Sequence, residues 1–325
     1  MLPGFDYVRP RSVQAALTHL SSEGAVAHAG GTDLIGRLRE RIAPVGKVVS
    51  LSDLAQLRGI AETPEGGLRI GALTTLSALA GHPLVQTRYA GLAQAAAEVG
   101  SPQLRNQGTL GGNLCQKPRC WYYRTDFTCL RKGGGTCFAV DGESQFHAVF
   151  GGGGLCYMVH PSDPAPALIA LNASVRVAGP KGTRDVPLEK FFVPPEVDLQ
   201  RETVLAHGEI VTEIRLPAPA AGTRSSYRKV RARRSWDFAL VGLALNLRFE
   251  GQRVAGGRVV LSGVAPVPWR STAAEQVIRG RELSPDVIAA AAKAATAGAE
   301  PLEKNGYKIT LIQGIVAEEL SRLAT

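Results

Sequence analysis

At 325 residues, 45% of them hydrophobic and 6% aromatic, the chain is long enough for two or three compact units that each bury a core. A net charge of +9, from 37 basic against 28 acidic residues, raises the question of nucleic-acid binding. No zinc-finger spacing or RNA-recognition signature accompanies the densest basic cluster, Arg224, Arg228, Lys229, Arg231, Arg233 and Arg234, so a solvated face, a docking surface or a phosphate contact is the better reading. No apolar run approaches the roughly 18 residues of a membrane span. MLPGFDYVRPRSV lacks an apolar signal-peptide core, so the expectation is a cytoplasmic protein, or one exported folded on a signal-bearing partner.

In chain order, Ser12 reads as an N-cap for a helix carrying Val13, Ala16, Leu17 and Leu20. Ala25 to Ala29 reads as a short buried strand that runs into Gly30-Gly31-Thr32-Asp33 and then a helix beginning at Leu34. Strand, double glycine, capping residue and helix form a generic anion-binding device, because backbone amides can approach a phosphate closely. The same residues also suit an ordinary tight turn, and neither a P-loop nor G-x-G-x-x-G is present. His28 reads as a packed core histidine. Strands are expected over 45–51 and 67–73, and helices over 74–79 and 90–99. A second glycine turn, Gly108-Thr109-Leu110-Gly111-Gly112-Asn113, again offers amides, with Thr109 and Asn113 adding side-chain hydrogen bonds. Beyond it come strands at 172–177, 183–187 and 210–216, a short helix from Leu188, and an interdomain linker at 217–222. The remainder reads as an α+β unit: strands 238–249 and 253–264 form a hairpin, Ser284-Pro285 starts a helix, and Ile309, Ile312, Val316, Leu320 and Leu323 line a last one.

All five cysteines, Cys115, Cys120, Cys129, Cys137 and Cys156, lie between the second glycine turn and His160-Pro161-Ser162-Asp163. Disulfides suit small secreted scaffolds better than a chain of this size. Structural zinc shows paired C-x₂₋₄-C ligands, which the interval from Cys115 to Cys120 misses. An iron–sulfur cluster needs four thiolates and tolerates wide spacing. Glycines at 133–135 and 151–154 would let the chain wrap it, and Arg119, Arg124, Arg131 and Lys132 would offset its charge. Spacing alone leaves open which cysteine is spare. His147 and His160 are candidates for handling protons, with structural histidines the alternative. No acid–base dyad or nucleophile triad is visible.

Taken together, AHAGGTDL at 27–34, RNQGTLGGNL at 105–114, HPSD at 160–163 and YRKVRARRSWDFALV at 227–241 resemble the FAD-binding subunit of the molybdenum hydroxylases, the xanthine dehydrogenase and aldehyde oxidoreductase family. The match covers nearly the whole chain, with its motifs in the family's order. The cysteine insertion, at about 115–157, resembles the flavin subunit of the heterotrimeric periplasmic aldehyde oxidoreductases, which carries an additional [4Fe–4S] cluster. The resemblance implies cluster ligands at Cys120, Cys129, Cys137 and Cys156, and leaves Cys115 as the spare.

The implied fold is α+β: a two-part FAD-binding domain of the vanillyl-alcohol-oxidase (PCMH) type over 1–220, then a domain of the CO dehydrogenase flavoprotein C-terminal type over 225–325. FAD would contact Ala27, His28, Ala29, Gly30, Gly31, Thr32, Asp33 and Leu34, then Gly108, Thr109, Leu110, Gly112 and Asn113, with the amides of both loops cradling its pyrophosphate. Ser162 and Asp163 would complete the site, Asp163 on sugar or ribityl hydroxyls. Lys229 would stand at the isoalloxazine edge, and Leu188 would be a packing contact. The implied partners are a large subunit with the molybdenum cofactor and a small one with [2Fe–2S] clusters, electrons leaving to oxygen, a quinone or a protein. No nicotinamide-binding motif is present, which counts against NAD. A xanthine dehydrogenase-type subunit, a self-sufficient FAD oxidoreductase and a zinc-stabilised binding module are the rival expectations.

Overall fold

Three sheets organise the chain, which the computed structural model describes over residues 2–42 and 44–324. The first is parallel, built from β1 (Asp6–Val8), β2 (Ala25–His28) and β3 (Lys47–Ser50) in the order β1-β3-β2. Parallel neighbours need crossovers, and the helices Val13–Leu20 and Leu34–Arg39 supply them. Ser12 caps the first helix, its hydroxyl accepting from the Ala15 amide at 3.1 Å. Val49 packs with Leu17 and Leu20, while Val48 packs with Leu34 and Leu38, so the alternating side chains of β3 feed two small cores.

The second sheet is antiparallel: β4 (Ile60–Glu62), β5 (Leu68–Gly71), β6 (Ser174–Gly179), β7 (Gly182–Pro187) and β8 (Ile210–Leu216) in the order β4-β5-β8-β6-β7. Helices Leu76–Gly81, Ala90–Ala97 and Pro164–Ala170 join its main core, in which Ile70, Leu92, Leu168, Val175 and Ile214 are fully buried. The third sheet, β9 (Thr223–Val230), β10 (Val241–Glu250), β11 (Arg253–Ser262) and β12 (Trp269–Arg270), is antiparallel in the order β12-β11-β10-β9. Leu243, Leu245, Val259 and Leu261 share a second large core with Ile312, Val316 and Leu320 of the last helix, Tyr307–Ala324. This is the expected α+β architecture.

The differences from the sequence reading are local. The hairpin strand begins at Val241, not Phe238. Strand β2 is only half-buried, because its parallel sheet is small. Helices Pro83–Arg88 and Pro102–Gln107 were not expected, although each has proline at its first turn and Ser101 caps the second. The second glycine turn is itself a helix, Leu110–Leu114, capped by Thr109.

Residues 115–157 are largely irregular, with single helical turns at Trp121–Arg124 and Leu130–Lys132. The C-terminal domain holds this segment. Phe150 stacks on Trp269 at 4.8 Å, and the Val149 and Phe150 amides donate to the Val264 carbonyl at 2.8 and 3.0 Å. Lys308 donates to the carbonyls of Phe146 (3.1 Å), His147 (2.9 Å) and Gly263 (2.6 Å). Burial brings this lysine down to about 7.

Candidate functional site

The two glycine loops meet face to face. A β-carbon on Gly30 would lie 1.9 Å from the Gln107 carbonyl oxygen, so glycine is required there by the opposing loop. Gly31 has a φ of +73°, a left-handed conformation that costs other residues about 1–2 kcal/mol. Among the described residues, no protein acceptor takes the amides of Gly30, Gly31, Thr32 or Asp33. The second loop differs. Gly108 donates to Leu104, Leu110 to Thr74, Gly111 to Ala72 and Asn113 to Thr109, all to backbone carbonyls at 2.7–2.9 Å, and the Gly112 amide donates to the Thr109 hydroxyl at 3.2 Å. The expectation that both loops offer free amides is therefore corrected for most of the second, whose amides other than that of Thr109 anchor it to the protein. It presents side chains instead.

Three clefts run along this seam and share residues end to end. The first, about 820 Å³, is lined by Ala27, Ala29, Gly30, Gly31, Thr32, Asp33, Leu34, Thr109 and Gly112, with Leu51, Leu73 and Ile210 as apolar wall. The second, about 1190 Å³, takes in Thr32, Asp33, Gly108, Thr109, Gly112, Asn113, Asp163 and Lys229. The third carries on past Ser162 and Asp163 to Cys120, His147 and His160. An extended trough with free amides near its middle and apolar walls fits a dinucleotide such as FAD. Leu110 and Leu188 are fully buried in the main core and line none of these clefts. His28 stands behind Gly31, its Nε2 2.7 Å from where a β-carbon would be.

Asp163 accepts from the Tyr227 hydroxyl at 2.7 Å and from the Lys229 ammonium at 2.8 Å. Lys229 also donates to the Glu98 carbonyl at 3.1 Å, and its side chain is 1% exposed. β9 thus brings Lys229, the residue expected near the isoalloxazine edge, onto the aspartate of the HPSD motif, and the two form a buried ion pair. Burial raises the Asp163 carboxyl above its ordinary value, opposed by Lys229, and burial together with Asp163 raises Tyr227. Ser162 donates to Asn113 and accepts from the Ala165 amide, which ties this motif to the second loop.

Asp33 faces the cysteine segment. It accepts from the Lys117 amide at 3.0 Å and pairs with Arg124 at 2.7 Å and Arg119 at 3.1 Å. Burial pushes its carboxyl up, but Arg119, the Lys117 amide and Arg124 outweigh burial and hold it below the usual range. The sequence reading missed Arg37, which lines the first cleft with a buried Nε lacking a protein acceptor, and Tyr227, whose hydroxyl orients Asp163. Arg37 lies outside every quoted motif, whereas Tyr227 opens the 227–241 motif without a role having been given to it.

All five cysteines are unpaired thiols. Among the described residues no group of three or more His, Cys, Asp or Glu side chains is placed to hold a metal ion. Cys120 begins the turn Trp121–Arg124, and its thiol accepts from the Tyr122 and Tyr123 amides and lies 3.3 Å from His147 Nε2. Burial pushes that thiol up to about 12 against the pull of those amides, and Cys156 and Cys137 add to the rise, so these three sulfurs share one neighbourhood. Cys129 and Cys156 are buried. Cys115 stands apart, lining the first cleft, and burial pushes it too up to about 12. His147 is brought down to about 4 by burial and then the Lys308 charge, and His160 to about 3 by burial, so both stay neutral near pH 7 and serve as structural histidines.

Comparison with known proteins agrees with this geometry. Residues 3–219 match the model of the FAD binding domain in molybdopterin dehydrogenase, and 225–322 match the CO dehydrogenase flavoprotein C-terminal domain. The chain is 38% identical to the aldehyde oxidoreductase FAD-binding subunit PaoB of Escherichia coli K12, over 98% of both chains. It is 32% identical to the carbon monoxide dehydrogenase medium chain of Hydrogenophaga pseudoflava, over 93% of this chain and 89% of that one. A solved structure of carbon monoxide dehydrogenase from H. pseudoflava superposes with a TM-score of 0.78 at 30% identity, covering 98% of this chain and 96% of the other. With its two domains and its trough accounted for, the chain belongs to the FAD-binding subunits of the molybdenum hydroxylase family and is an oxidoreductase subunit.

Proposed function

We propose that the chain is the electron-transfer subunit of a heterotrimeric aldehyde oxidoreductase, holding FAD along the trough and a [4Fe–4S] cluster on Cys120, Cys129, Cys137 and Cys156. Substrate would be oxidised on a large subunit with the molybdenum cofactor, and a small subunit would carry [2Fe–2S] centres. The complex would work in the cytoplasm, or in the periplasm after folded export on a signal-bearing partner. Bound FAD supplies the redox chemistry. The residues of this chain bind and orient it: the free amides of 30–33 receive a phosphate, and Thr109, Asn113 and Ser162 form the opposite wall.

The observation that carries the reading is the cysteine segment itself. Cys120 lines the third cleft and interacts electrostatically with Cys137 and Cys156, of which Cys156 is buried and Cys137 half-buried, so a cluster held there would adjoin the flavin trough. The 38% identity to an aldehyde oxidoreductase subunit supports the substrate class. Iron and flavin analysis of the purified complex tests it, together with Cys129→Ser. The variant is expected to lose iron and the broad cluster absorbance while keeping FAD; unchanged iron would refute the ligand set. Aldehyde oxidation by this chain alone would refute the division of labour between subunits.

A further inference from the structure

We infer that Arg37 is a cofactor-binding residue of the first cleft, its guanidinium joining the free amides of 30–33 on the pyrophosphate of FAD. The inference rests on the FAD reading above and is independent of the cysteine-bound centre. Arg37 belongs to the helix Leu34–Arg39, and its amide donates to the Asp33 carbonyl at 3.2 Å. It therefore stands one helical turn beyond the last of the free amides. The residue is half-buried and lines the same cleft as Gly30, Gly31, Thr32 and Asp33.

An account of the nearby charges leaves this arginine over. The acidic residues that line the cleft are Asp33 and Glu209. Asp33 is taken by Arg124 at 2.7 Å and Arg119 at 3.1 Å. Glu209 is taken by Arg184 at 2.7 Å and by the Ala206 amide at 2.8 Å. Glu40, on the next turn of chain, pairs with Arg124 at 3.0 Å. Among the described residues no acceptor takes the buried Nε of Arg37, and no carboxylate pairs with its guanidinium. The wall formed by Leu51, Leu73 and Ile210 is apolar and offers nothing in exchange. A half-buried cation with an unspent donor is costly unless an anion comes to it. The amides of 30–33 on the same cleft lack protein acceptors too. Amides bring only partial charge, whereas each phosphate of the cofactor carries a full one. A guanidinium fork meets a phosphate with paired hydrogen bonds and a charge that does not depend on pH.

The test is a fluorescence titration of the full chain after removal of its flavin, with FAD and riboflavin as the probes. Riboflavin keeps the ring and ribityl chain but has no phosphate. Arg37→Met is expected to weaken FAD binding by about tenfold or more and to leave riboflavin unchanged, because hydrogen bonds between charged partners are the strong ones. Arg37→Lys should fall between the wild type and Arg37→Met. Added salt should weaken FAD binding in the wild type, and less steeply in Arg37→Met. Wild-type FAD affinity in Arg37→Met, or a loss of riboflavin by the same factor, would overturn the inference and leave the FAD reading standing. Where riboflavin binds too weakly to compare, the salt series decides: a shallower dependence in Arg37→Met supports the role, and an equal one overturns it. Should Arg37→Met fail to fold, Arg37→Gln takes its place beside Arg37→Lys. Weaker FAD binding in Gln than in Lys then supports the role, and equal affinities overturn it. A wild-type chain that takes up no FAD would overturn the FAD reading, and this inference with it.

Discussion

The two glycine loops look alike in sequence and do opposite things. The first keeps the amides of residues 30–33 free and sends its aspartate to Arg119 and Arg124 of the cysteine segment. The second, at 108–113, spends its amides on Leu104, Thr74, Ala72 and Thr109, and so becomes a rigid wall. Glycine serves phosphate approach in one loop and backbone packing in the other. A glycine count cannot tell these apart; where the amide hydrogens go can.

The largest test of this contrast is Gly31→Val. Its left-handed φ of +73° and the nearness of His28 leave no room for a β-branched side chain, so FAD retention should fall by about tenfold or more, since 1–2 kcal/mol of backbone strain adds to the clash. Normal flavin occupancy in the purified variant would contradict the assignment of the first loop. Thr109→Val comes next. Losing the cap on the Gly112 amide should cost about 1 kcal/mol of stability, read by denaturant melts of the flavin-free protein, with a smaller loss of FAD than Gly31→Val. Equal flavin loss in the two variants would erase the distinction between the loops.

The smallest effect is one of pH. Asp33 lies below its ordinary value of 3.8 in the folded chain, so its contribution to stability is fully present above about pH 3.8 and fades as pH falls through the folded value. Proteolysis at Arg124 should therefore stay constant from neutral pH down to that point and rise only below it. An Asp33→Asn variant should be cut faster at neutral pH and lose the acid dependence. A wild-type segment that loosens near pH 6 would mean that another group holds it.

What could be read in the sequence follows the range of the interactions. The strand, glycine doublet and helix at 25–39 are contiguous, so hydrophobic pattern and glycine placement reveal them. The apolar run 165–171 forms the buried helix Pro164–Ala170, which a run of that length does not by itself distinguish from a buried strand. The partners of Asp33 stand in irregular chain more than eighty residues away, as the separations of 84 and 91 show, and no local pattern encodes such a pairing. Lys229 lines the trough, and its pairing with Asp163 depends on how β9 docks against the start of helix Pro164–Ala170. The helix Pro102–Gln107 did carry its signals, Ser101 and Pro102, in a stretch too short for periodicity to speak.

Lys308 gives the molecule an order in time. The carbonyls of Phe146 and His147 are held by an ammonium from the last helix, more than 160 residues further on. Cys120 touches the ring of that same His147. During synthesis, then, the middle of the chain waits for its end: the cysteine loops emerge early but reach their final contacts only when residue 308 has been made. A chain stopped short of that lysine would lack the ammonium that gathers the carbonyls of Phe146 and His147, however well its glycine loops had formed.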